Sequence, residues 1–162
     1  MSFLEPAIDL DQTEVAEIRI DPITGTRALF AKKAFTKNEI IIEFMAKNVS
    51  STPTYLTVQI GEDVHIELLP ECLACTNHSC DPNCFFDTTR MEFVAIKDIA
   101  EAEEFTFFYP SAEWDMDHPF QCNCGSDRCI GIVQGAKYLS DEIVQKYLFT
   151  DFIKQKLLQL NT

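Results

Sequence analysis

The residues best suited to chemistry are crowded into one short stretch, TNHSCDPNC, at positions 76–84. It holds two asparagines, a histidine and two cysteines, whereas a turn needs only one or two residues such as Asn, Asp or Pro. The stretch therefore contains more ligands and hydrogen-bonding groups than a bend in the chain requires. It is a candidate binding site.

A second cluster, CNCGSDRC, brings Cys122, Cys124 and Cys129 together around Gly125. Three thiolates on a short glycine-containing loop can face one point, and a structural zinc site closes a tetrahedron with four ligands. The fourth thiolate must come from elsewhere in the chain, and Cys80 in the first stretch is our candidate. The spacing therefore predicts a structural zinc ion.

A second arrangement of the cysteines is open at this point. A local zinc site can also be drawn from four cysteines of the first stretch and its approach, Cys72, Cys75, Cys80 and Cys84. That choice would leave the CNCGSDRC cluster with only three thiolates. Free cysteines are often small buried apolar residues, which is the simpler interpretation of Cys72, Cys75 and Cys84.

Composition and charge limit the class of protein. The chain has 162 residues, of which 46% are hydrophobic, which is enough for one domain with a real core. Its formal net charge is -13, whereas a protein that binds the phosphates of nucleic acids needs a basic surface. We therefore predict no direct nucleic-acid binding and an affinity for basic protein partners.

The chain also lacks the signals of secretion or membrane insertion. No apolar run approaches the length of a membrane span, and the first residues, MSFLEPAIDLDQ, are acidic. These features predict a soluble intracellular protein that does not bind membranes, without choosing between nucleus and cytoplasm. Thiols stay reduced inside cells, so metal binding is a better prediction for seven cysteines than disulfides.

The elements expected to position these residues are mostly strands. Alternating or aromatic-rich runs predict strands at 15–20, 28–35, 39–44, 55–68 (two strands, turning at 61–63), 91–99 and 103–109. The polar turn TKNE predicts a hairpin-like connection between the second and third runs, and NVSSTPT predicts a loop. From Pro110 to Gly131 the chain should be a loop held by something other than a core.

The C-terminal stretch changes character. Ser140 followed by acidic residues predicts a helix start, and apolar residues then recur at helical spacing. The apolar positions are Ile143, Val144, Tyr147, Leu148, Phe152, Ile153, Leu157 and Leu160. We predict one or two amphipathic helices packed on the sheet, with a partner-binding helix as the alternative.

The motifs together resemble a known family. NHSCDPN, then EEFTFFY, then CNCGSDRCIG, preceded by GTRALFAKKAFTKNEIIIEF, resemble the SET-domain protein lysine methyltransferases that carry a post-SET zinc loop. The resemblance implies a mostly β fold of small curved sheets with knot-like threading. It divides the chain into an N-terminal extension (1–14), a SET domain (15–111), a post-SET zinc loop (112–135) and a C-terminal helical segment (136–162).

The resemblance also implies roles for individual residues. Asn77 and His78 would contact S-adenosylmethionine, as would Arg27 and Ala28, which stand where the family usually carries Gly-x-Gly. Cys80 would join the three post-SET cysteines around zinc. Because Ala28 replaces a glycine, a zinc-stabilised SET-fold interaction module without catalytic activity is the alternative function.

The catalytic residue implied by the resemblance is Tyr109, which ends the EEFTFFY strand. Phe107 occupies the position that influences how many methyl groups are added, and Tyr55 is the candidate for a second tyrosine of the substrate channel. The implied reaction transfers methyl from S-adenosylmethionine to a lysine of a basic protein substrate such as a histone.

Overall fold

The protein is described by a computed structural model that covers residues 13–160, so the predicted N-terminal extension lies almost entirely outside the described residues. Strands provide most of the regular structure. They are β1 (Ala16–Ile20), β2 (Arg27–Ala31), β3 (Ile40–Glu43), β4 (Met45–Ser50), β5 (Thr57–Gly61), β6 (Val64–Leu69), β7 (Asn77–His78), β8 (Cys84–Asp87), β9 (Glu92–Ala95), β10 (Thr106–Phe107), β11 (Phe120–Gln121) and β12 (Ile132–Val133).

These strands form small sheets. β1 pairs antiparallel with β2, β11 pairs with β12, and a three-stranded sheet has the order β4-β6-β5. The largest sheet has the order β3-β9-β8-β10-β7. Short 3-10 helices cover Glu71–Cys75, Tyr109–Ser111 and Ala136–Tyr138. The prediction of a mostly β fold of small sheets is confirmed.

The strand order contains the threading that the family resemblance implies. β10 runs parallel to both β7 and β8 and lies between them, although β7 and β8 follow each other along the chain. The connection at 79–83 must therefore cross β10 to join its two neighbours. This crossing brings the first cysteine stretch against the strand that precedes Tyr109.

One predicted connection is wrong. The TKNE turn does not close a hairpin, because β2 pairs with β1 whereas β3 pairs with β9 in another sheet. Between them the chain turns toward a distant segment, and Phe35 exchanges two backbone hydrogen bonds of 2.8 Å with Ile99. The predicted loop at 48–54 is partly strand, since β4 extends to Ser50. Pairing with β6 decides this, and local composition does not.

The main core lies between the sheets and is rich in phenylalanine. Phe86, Phe93 and Phe105 are fully buried, and their rings meet at centroid distances of 4.5 Å (Phe86–Phe93) and 5.7 Å (Phe93–Phe105). Buried aromatic pairs contribute large apolar areas and prefer tilted or edge-on contacts, as seen here. The core fixes β10, which pairs with the strand that carries Asn77 and leads into the 3-10 helix that begins at Tyr109.

Two helices follow, α1 (Asp141–Val144) and α2 (Asp151–Leu160). Ser140 caps α1 by accepting a hydrogen bond from the Ile143 backbone N–H, as the sequence predicted. Ile153 is fully buried in a second cluster with Phe108 and Phe149, so the helices pack on the domain. No helix within residues 13–160 is long and apolar enough to cross a membrane.

Candidate active site and metal centre

A cavity of about 710 Å³ opens beside β7 and the 3-10 helix that begins at Tyr109. Its wall includes four residues that the sequence singled out, Arg27, Tyr55, Asn77 and Tyr109. They come from four separate parts of the chain. The fold therefore gathers most of the predicted cofactor and catalytic residues around one space.

Tyr109 is held from both its backbone and its side chain. Its hydroxyl donates to the Thr76 carbonyl at 3.1 Å, and its backbone N–H donates to His78 Nδ1 at 3.1 Å. Burial, followed by the nearby charge of Glu104, raises the pKa of Tyr109 to about 12. The side chain is therefore a neutral phenol with a fixed direction, suited to orienting a group and unsuited to strong base chemistry.

Asn83 positions the strand that delivers Tyr109. Its amide nitrogen donates to the Glu104 carbonyl at 2.8 Å, and its amide oxygen accepts from the Thr106 N–H at 2.8 Å. One side chain thus completes the backbone hydrogen bonds on both sides of Phe105. Sequence analysis assigned no separate role to Asn83, so this role was missed.

Asn77 links β7 to β2 and to the segment that precedes β10. Its amide nitrogen donates to the Arg27 carbonyl at 2.9 Å and to Glu104 Oε2 at 3.2 Å. Burial raises the pKa of Glu104, while the Asn77 hydrogen bond acts in the opposite direction. These contacts fix Asn77 beside Arg27, so two of the predicted cofactor residues are neighbours in space.

Ala28 and Tyr55 occupy contrasting environments. Ala28 is 3% exposed and pairs with Arg19 across β1 and β2, so protein atoms cover its methyl group. Tyr55 is 81% exposed at the rim of the cavity. Cofactor contact by Ala28 and a channel role for Tyr55 stay predictions.

Phe107 lies beneath Tyr109, with ring centroids 4.7 Å apart, and its other side meets Phe86. It belongs to the main core and is 6% exposed. Phe107 therefore packs between the core and Tyr109, the candidate catalytic residue. Its predicted influence on methyl number stays a prediction.

The four cysteines of the predicted zinc site come together. The sulfur atoms of Cys80, Cys122, Cys124 and Cys129 all lie within 4.8 Å of one another, and Cys80 Sγ and Cys122 Sγ are 3.8 Å apart. Zn–S bonds of about 2.3 Å place the corners of a tetrahedron about 3.8 Å apart. The cluster therefore fits a zinc ion in size and in ligand type.

Backbone donors surround these sulfurs. The Ile130 N–H donates to Cys80 Sγ and the Cys124 N–H donates to Cys122 Sγ, each at 3.4 Å. Burial raises the pKa of Cys80 well above its ordinary value, so this thiol needs a bound cation to lose its proton. Strands β11 and β12 pair at the base of the loop and bring its ends together.

His78 connects the cysteine cluster to Tyr109. Burial lowers the pKa of His78 to about 4, so the ring is neutral. Because Nδ1 accepts from the Tyr109 N–H, the ring proton belongs on Nε2, which lies 3.3 Å from Cys80 Sγ. Both nitrogens of this side chain are thereby engaged by protein atoms. The cofactor contact predicted for His78 stays a prediction.

Known proteins share features of this chain. The profile described as "SET domain" matches residues 26–110, which is just over half of the chain and includes Asn77, Cys80 and Tyr109. The chain belongs to the SET-domain family. Within it, the sequence is 39% identical over 106 residues to the "Methyltransferase flvH" of Aspergillus flavus, covering 64% of this chain and 59% of that protein.

Histone-modifying SET proteins are also similar. The human "Histone-lysine N-methyltransferase 2B" is 28% identical over 124 residues, covering 64% of this chain and 5% of that protein. The "Histone-lysine N-methyltransferase, H3 lysine-36 specific" of Aspergillus oryzae is 38% identical over 65 residues, covering 36% of this chain and 7% of that protein. The chain thus spans only part of each of these relatives.

Solved SET structures share the fold. A crystal structure of KRYPTONITE in complex with mCHH DNA, an H3(1–15) peptide and SAH has a TM-score of 0.56 and 18% identity, covering 73% of this chain and 29% of that one. At this identity the likeness concerns the fold. Because that complex contains DNA, it does not support our prediction that this chain lacks direct nucleic-acid binding, which stays a prediction.

The alternative local zinc site is wrong for this SET domain. Cys72 and Cys84 are buried in the main core at 0% and 1% exposure, as small apolar residues. Cys75 is half-buried and lines the cavity. Only Cys80 of the first stretch reaches the other sulfurs, because the crossing over β10 carries it toward the post-SET loop.

The C-terminal segment adds a clamp that sequence reasoning missed. Tyr147 stacks on Phe108 with ring centroids 3.7 Å apart, and its hydroxyl donates to the Cys80 carbonyl at 2.6 Å. Arg128 of the post-SET loop lies over the other side of Tyr147, 4.7 Å from its ring centroid. The helical segment therefore holds both the cysteine loop and the residue before Tyr109.

Sequence reasoning also missed the acidic lining of the cavity. Four carboxyl groups belong to its wall, those of Glu67, Glu71, Glu113 and Asp117. They form two pairs that are far apart in the sequence, Glu67 with Glu71 and Glu113 with Asp117, and no local motif marks either pair. Phe120 was missed as well, although it packs edge-on against both His78 and Tyr109 at 5.8 Å.

Proposed function

We propose that this SET domain is a protein lysine N-methyltransferase that uses S-adenosylmethionine and a structural zinc ion. The observation that carries the proposal is the meeting of Tyr109, Asn77 and Arg27 around one cavity, beside four cysteine sulfurs spaced for a metal. The family match and the methyltransferase names of its relatives support it.

The cavity suits a nucleoside cofactor together with a lysine side chain. Its volume of about 710 Å³ lies within the usual range of small-molecule sites. When bound, S-adenosylmethionine supplies the methyl group on a sulfonium. Asn77 and Arg27 would hold this cofactor, and the SAH in the KRYPTONITE complexes supports its choice.

Tyr109 would align the acceptor amine. A free lysine has a pKa of about 10.4, and an apolar enclosure near a positive charge favours the neutral amine that can attack. The Tyr109 hydroxyl, directed by the Thr76 carbonyl, borders the space where the amine would enter. Holding the reacting atoms in line accounts for much of such catalysis.

Zinc would have a purely structural role. Cys80, Cys122, Cys124 and Cys129 would supply all four ligands, which leaves no open position for substrate. The metal would hold the cysteine loop together. Phe120, which lies beside this loop, packs against Tyr109. Its binding free energy would contribute directly to folding of this wall of the cavity.

The substrate proposed is a basic protein segment, such as a histone tail. The net charge of -13 favours encounter with such a segment, and the relatives named as histone-lysine methyltransferases support it. Phe107 at the position linked to product state favours transfer of more than one methyl group.

The competing function is a SET-fold interaction module without turnover. The replacement of a family glycine by Ala28 is the observation in its favour. The burial of Ala28 reduces this objection, since its methyl group is covered by protein atoms. Cofactor binding separates the two functions.

The proposal is tested by transfer of radiolabelled methyl from S-adenosylmethionine to a panel of core histones and ribosomal proteins. We expect label on one substrate, with the rate lowered about 100-fold or more by Tyr109→Phe. The matched control is Tyr138→Phe, which removes an exposed hydroxyl bonded to Asp115 at 2.9 Å, and it should retain the rate.

Calorimetry with S-adenosylmethionine completes the test. Absence of both label and cofactor binding would overturn the enzyme and favour the interaction module. Equal rates for Tyr109→Phe and the unaltered protein would remove Tyr109 from the chemistry.

A further inference from the structure

Glu113 differs from the other acidic residues of the cavity wall. Glu67 accepts a hydrogen bond from Asn48, Glu71 forms an ion pair with Lys47, and Asp117 pairs with His118 at 2.7 Å. The carboxyl group of Glu113 has no hydrogen bond or ion pair with any residue in the 13–160 range. It is also deeply buried, with 8% exposure.

The backbone around Glu113 is anchored on three sides. The Gln59 N–H donates to the Ala112 carbonyl at 3.0 Å, and Gln59 Oε1 accepts from the Trp114 N–H at 3.0 Å. The Glu113 carbonyl accepts from the Ala136 N–H at 2.9 Å. The segment is thus tied to β5 and to the 3-10 helix at Ala136–Tyr138, which keeps the carboxyl group in the cavity wall.

The position of Glu113 relative to Tyr109 points to the reacting end of a substrate. Three residues lie between the two along the chain, both line the cavity, and the charge of Glu113 contributes to the raised pKa of Tyr109. Burial raises the pKa of Glu113 itself well above its ordinary value. An unpartnered buried carboxyl group destabilises a fold, so its presence here calls for a ligand that donates N–H groups.

We propose that Glu113 is a specificity-determining residue that receives the acceptor lysine on entry, in its ammonium form, before the amine loses its proton and attacks. This inference rests on the proposed function, because it assigns the amine to the same cavity. An ammonium brings three N–H donors and the charge opposite to a carboxylate. An uncharged group of the same length could donate one hydrogen bond to the Glu113 carboxyl group, but it lacks the opposite charge and the further N–H donors of an ammonium.

The same ammonium chemistry also occurs in the cofactor, which carries an α-amino group. The proposal commits to the acceptor amine, because Glu113 follows Tyr109, whose hydroxyl would align that amine. Asn77 and Arg27 adjoin one another at another part of the wall, where we place the cofactor. Separate titrations with an alkylamine and with S-adenosylmethionine distinguish the two sources.

The experiment titrates the zinc-loaded full chain with 1-butylamine, which matches the end of a lysine side chain, and follows binding by NMR. At neutral pH this amine is an ammonium, and 1-butanol serves as the uncharged ligand of equal length. Glu113→Gln keeps the shape of the side chain and removes its charge. Glu101→Gln makes the same change at an exposed position outside the cavity wall.

We expect Glu113→Gln to weaken butylamine binding about 10-fold or more, while Glu101→Gln leaves it unchanged. Butanol should bind both variants and the unaltered protein equally, and the affinity for S-adenosylmethionine should not change. Glu113→Asp keeps the charge on a shorter side chain and should recover part of the amine affinity. Zinc content and thermal unfolding establish that each variant is folded.

Several outcomes would overturn the inference. These are no butylamine binding by the unaltered protein, equal binding by Glu113→Gln, or a loss confined to S-adenosylmethionine affinity. Amine binding that depends on Glu113 without methyl transfer to any acceptor would overturn the proposed reaction and retain the amine site.

Discussion

The cysteine cluster and the Tyr109 cavity are adjacent sites of opposite construction. In the cluster, Cys80 Sγ is met by His78 Nε2 and by the Ile130 N–H, and the neighbouring sulfurs lie at ligand spacing. In the cavity, the Glu113 carboxyl group has no partner in the described part of the chain and the Tyr109 hydroxyl reaches only a carbonyl. One site brings together a full set of potential metal ligands, whereas the other leaves polar groups for a ligand.

This difference separates stability from function within a small domain. Satisfied buried polar groups fix a structure, and unsatisfied ones reduce stability and are retained where they bind something. His78 joins the two sites, since one ring nitrogen meets Cys80 and the other meets Tyr109. Changes to the cluster should therefore alter the whole domain, and changes to the cavity should alter binding with little loss of structure.

The largest effect is expected from Cys129→Ser. The variant removes one of the four proposed zinc ligands. It should release the metal and unfold the segment at 110–131, because this loop has little core of its own. Zinc content by mass spectrometry and amide hydrogen exchange of the segment measure both losses.

Cys72→Ser is the matched control. Cys72 lies in the main core at 0% exposure, so the variant should lose stability and keep its zinc. Equal zinc loss in the two variants would contradict the assignment of ligands.

The second largest effect is expected from Glu113→Gln, which should change how the stability of the protein depends on pH. Because the pKa of Glu113 is raised in the folded protein, the folded state retains a proton that the unfolded state releases above its own pKa. The stability contributed by Glu113 is present at acidic pH and is lost as pH rises toward its folded pKa. The free energy of unfolding of Glu113→Gln, relative to that of the unaltered protein, should therefore increase with rising pH, by at most about 1.4 kcal/mol per pH unit.

Urea unfolding between acidic and neutral pH measures this difference. The variant Glu101→Gln, at an exposed position, should follow the unaltered protein. A stability difference between Glu113→Gln and the unaltered protein that is independent of pH would contradict a raised pKa of Glu113 in the folded state.

The smallest effect is expected from Tyr147→Phe. The variant keeps the stack on Phe108 and removes the hydrogen bond to the Cys80 carbonyl, which should cost about 1 kcal/mol of unfolding free energy. Urea unfolding measures it, with Tyr138→Phe as the surface control. Zinc release by Tyr147→Phe would mean that the clamp is required for the metal site.

Much of the metal site could be predicted from sequence because its ligands carry an unmistakable chemical type. Three cysteines lie close along the chain, and the requirement for a fourth thiolate led to Cys80. Local rules also predicted the Ser140 cap and the turn between β5 and β6, since both depend on residues only a few positions apart.

Predictions that depended on distant pairing were weaker. TKNE has the composition of a hairpin turn, yet β2 and β3 found different partners, β1 and β9. A turn can bend the chain without deciding which strands will pair, because pairing depends on which apolar faces the core can bury together.

The sequence by itself indicated the family, the candidate zinc ligands and the candidate tyrosine, because these rest on residue types at short fixed spacings. The tertiary structure alone distinguished the carboxyl groups of the cavity wall. Glu67, Glu71 and Glu113 are chemically alike in the sequence, and only packing shows that two have partners while Glu113 is buried with none among residues 13–160. Burial and hydrogen bonding are properties of the surroundings, which the chain assembles from segments far apart.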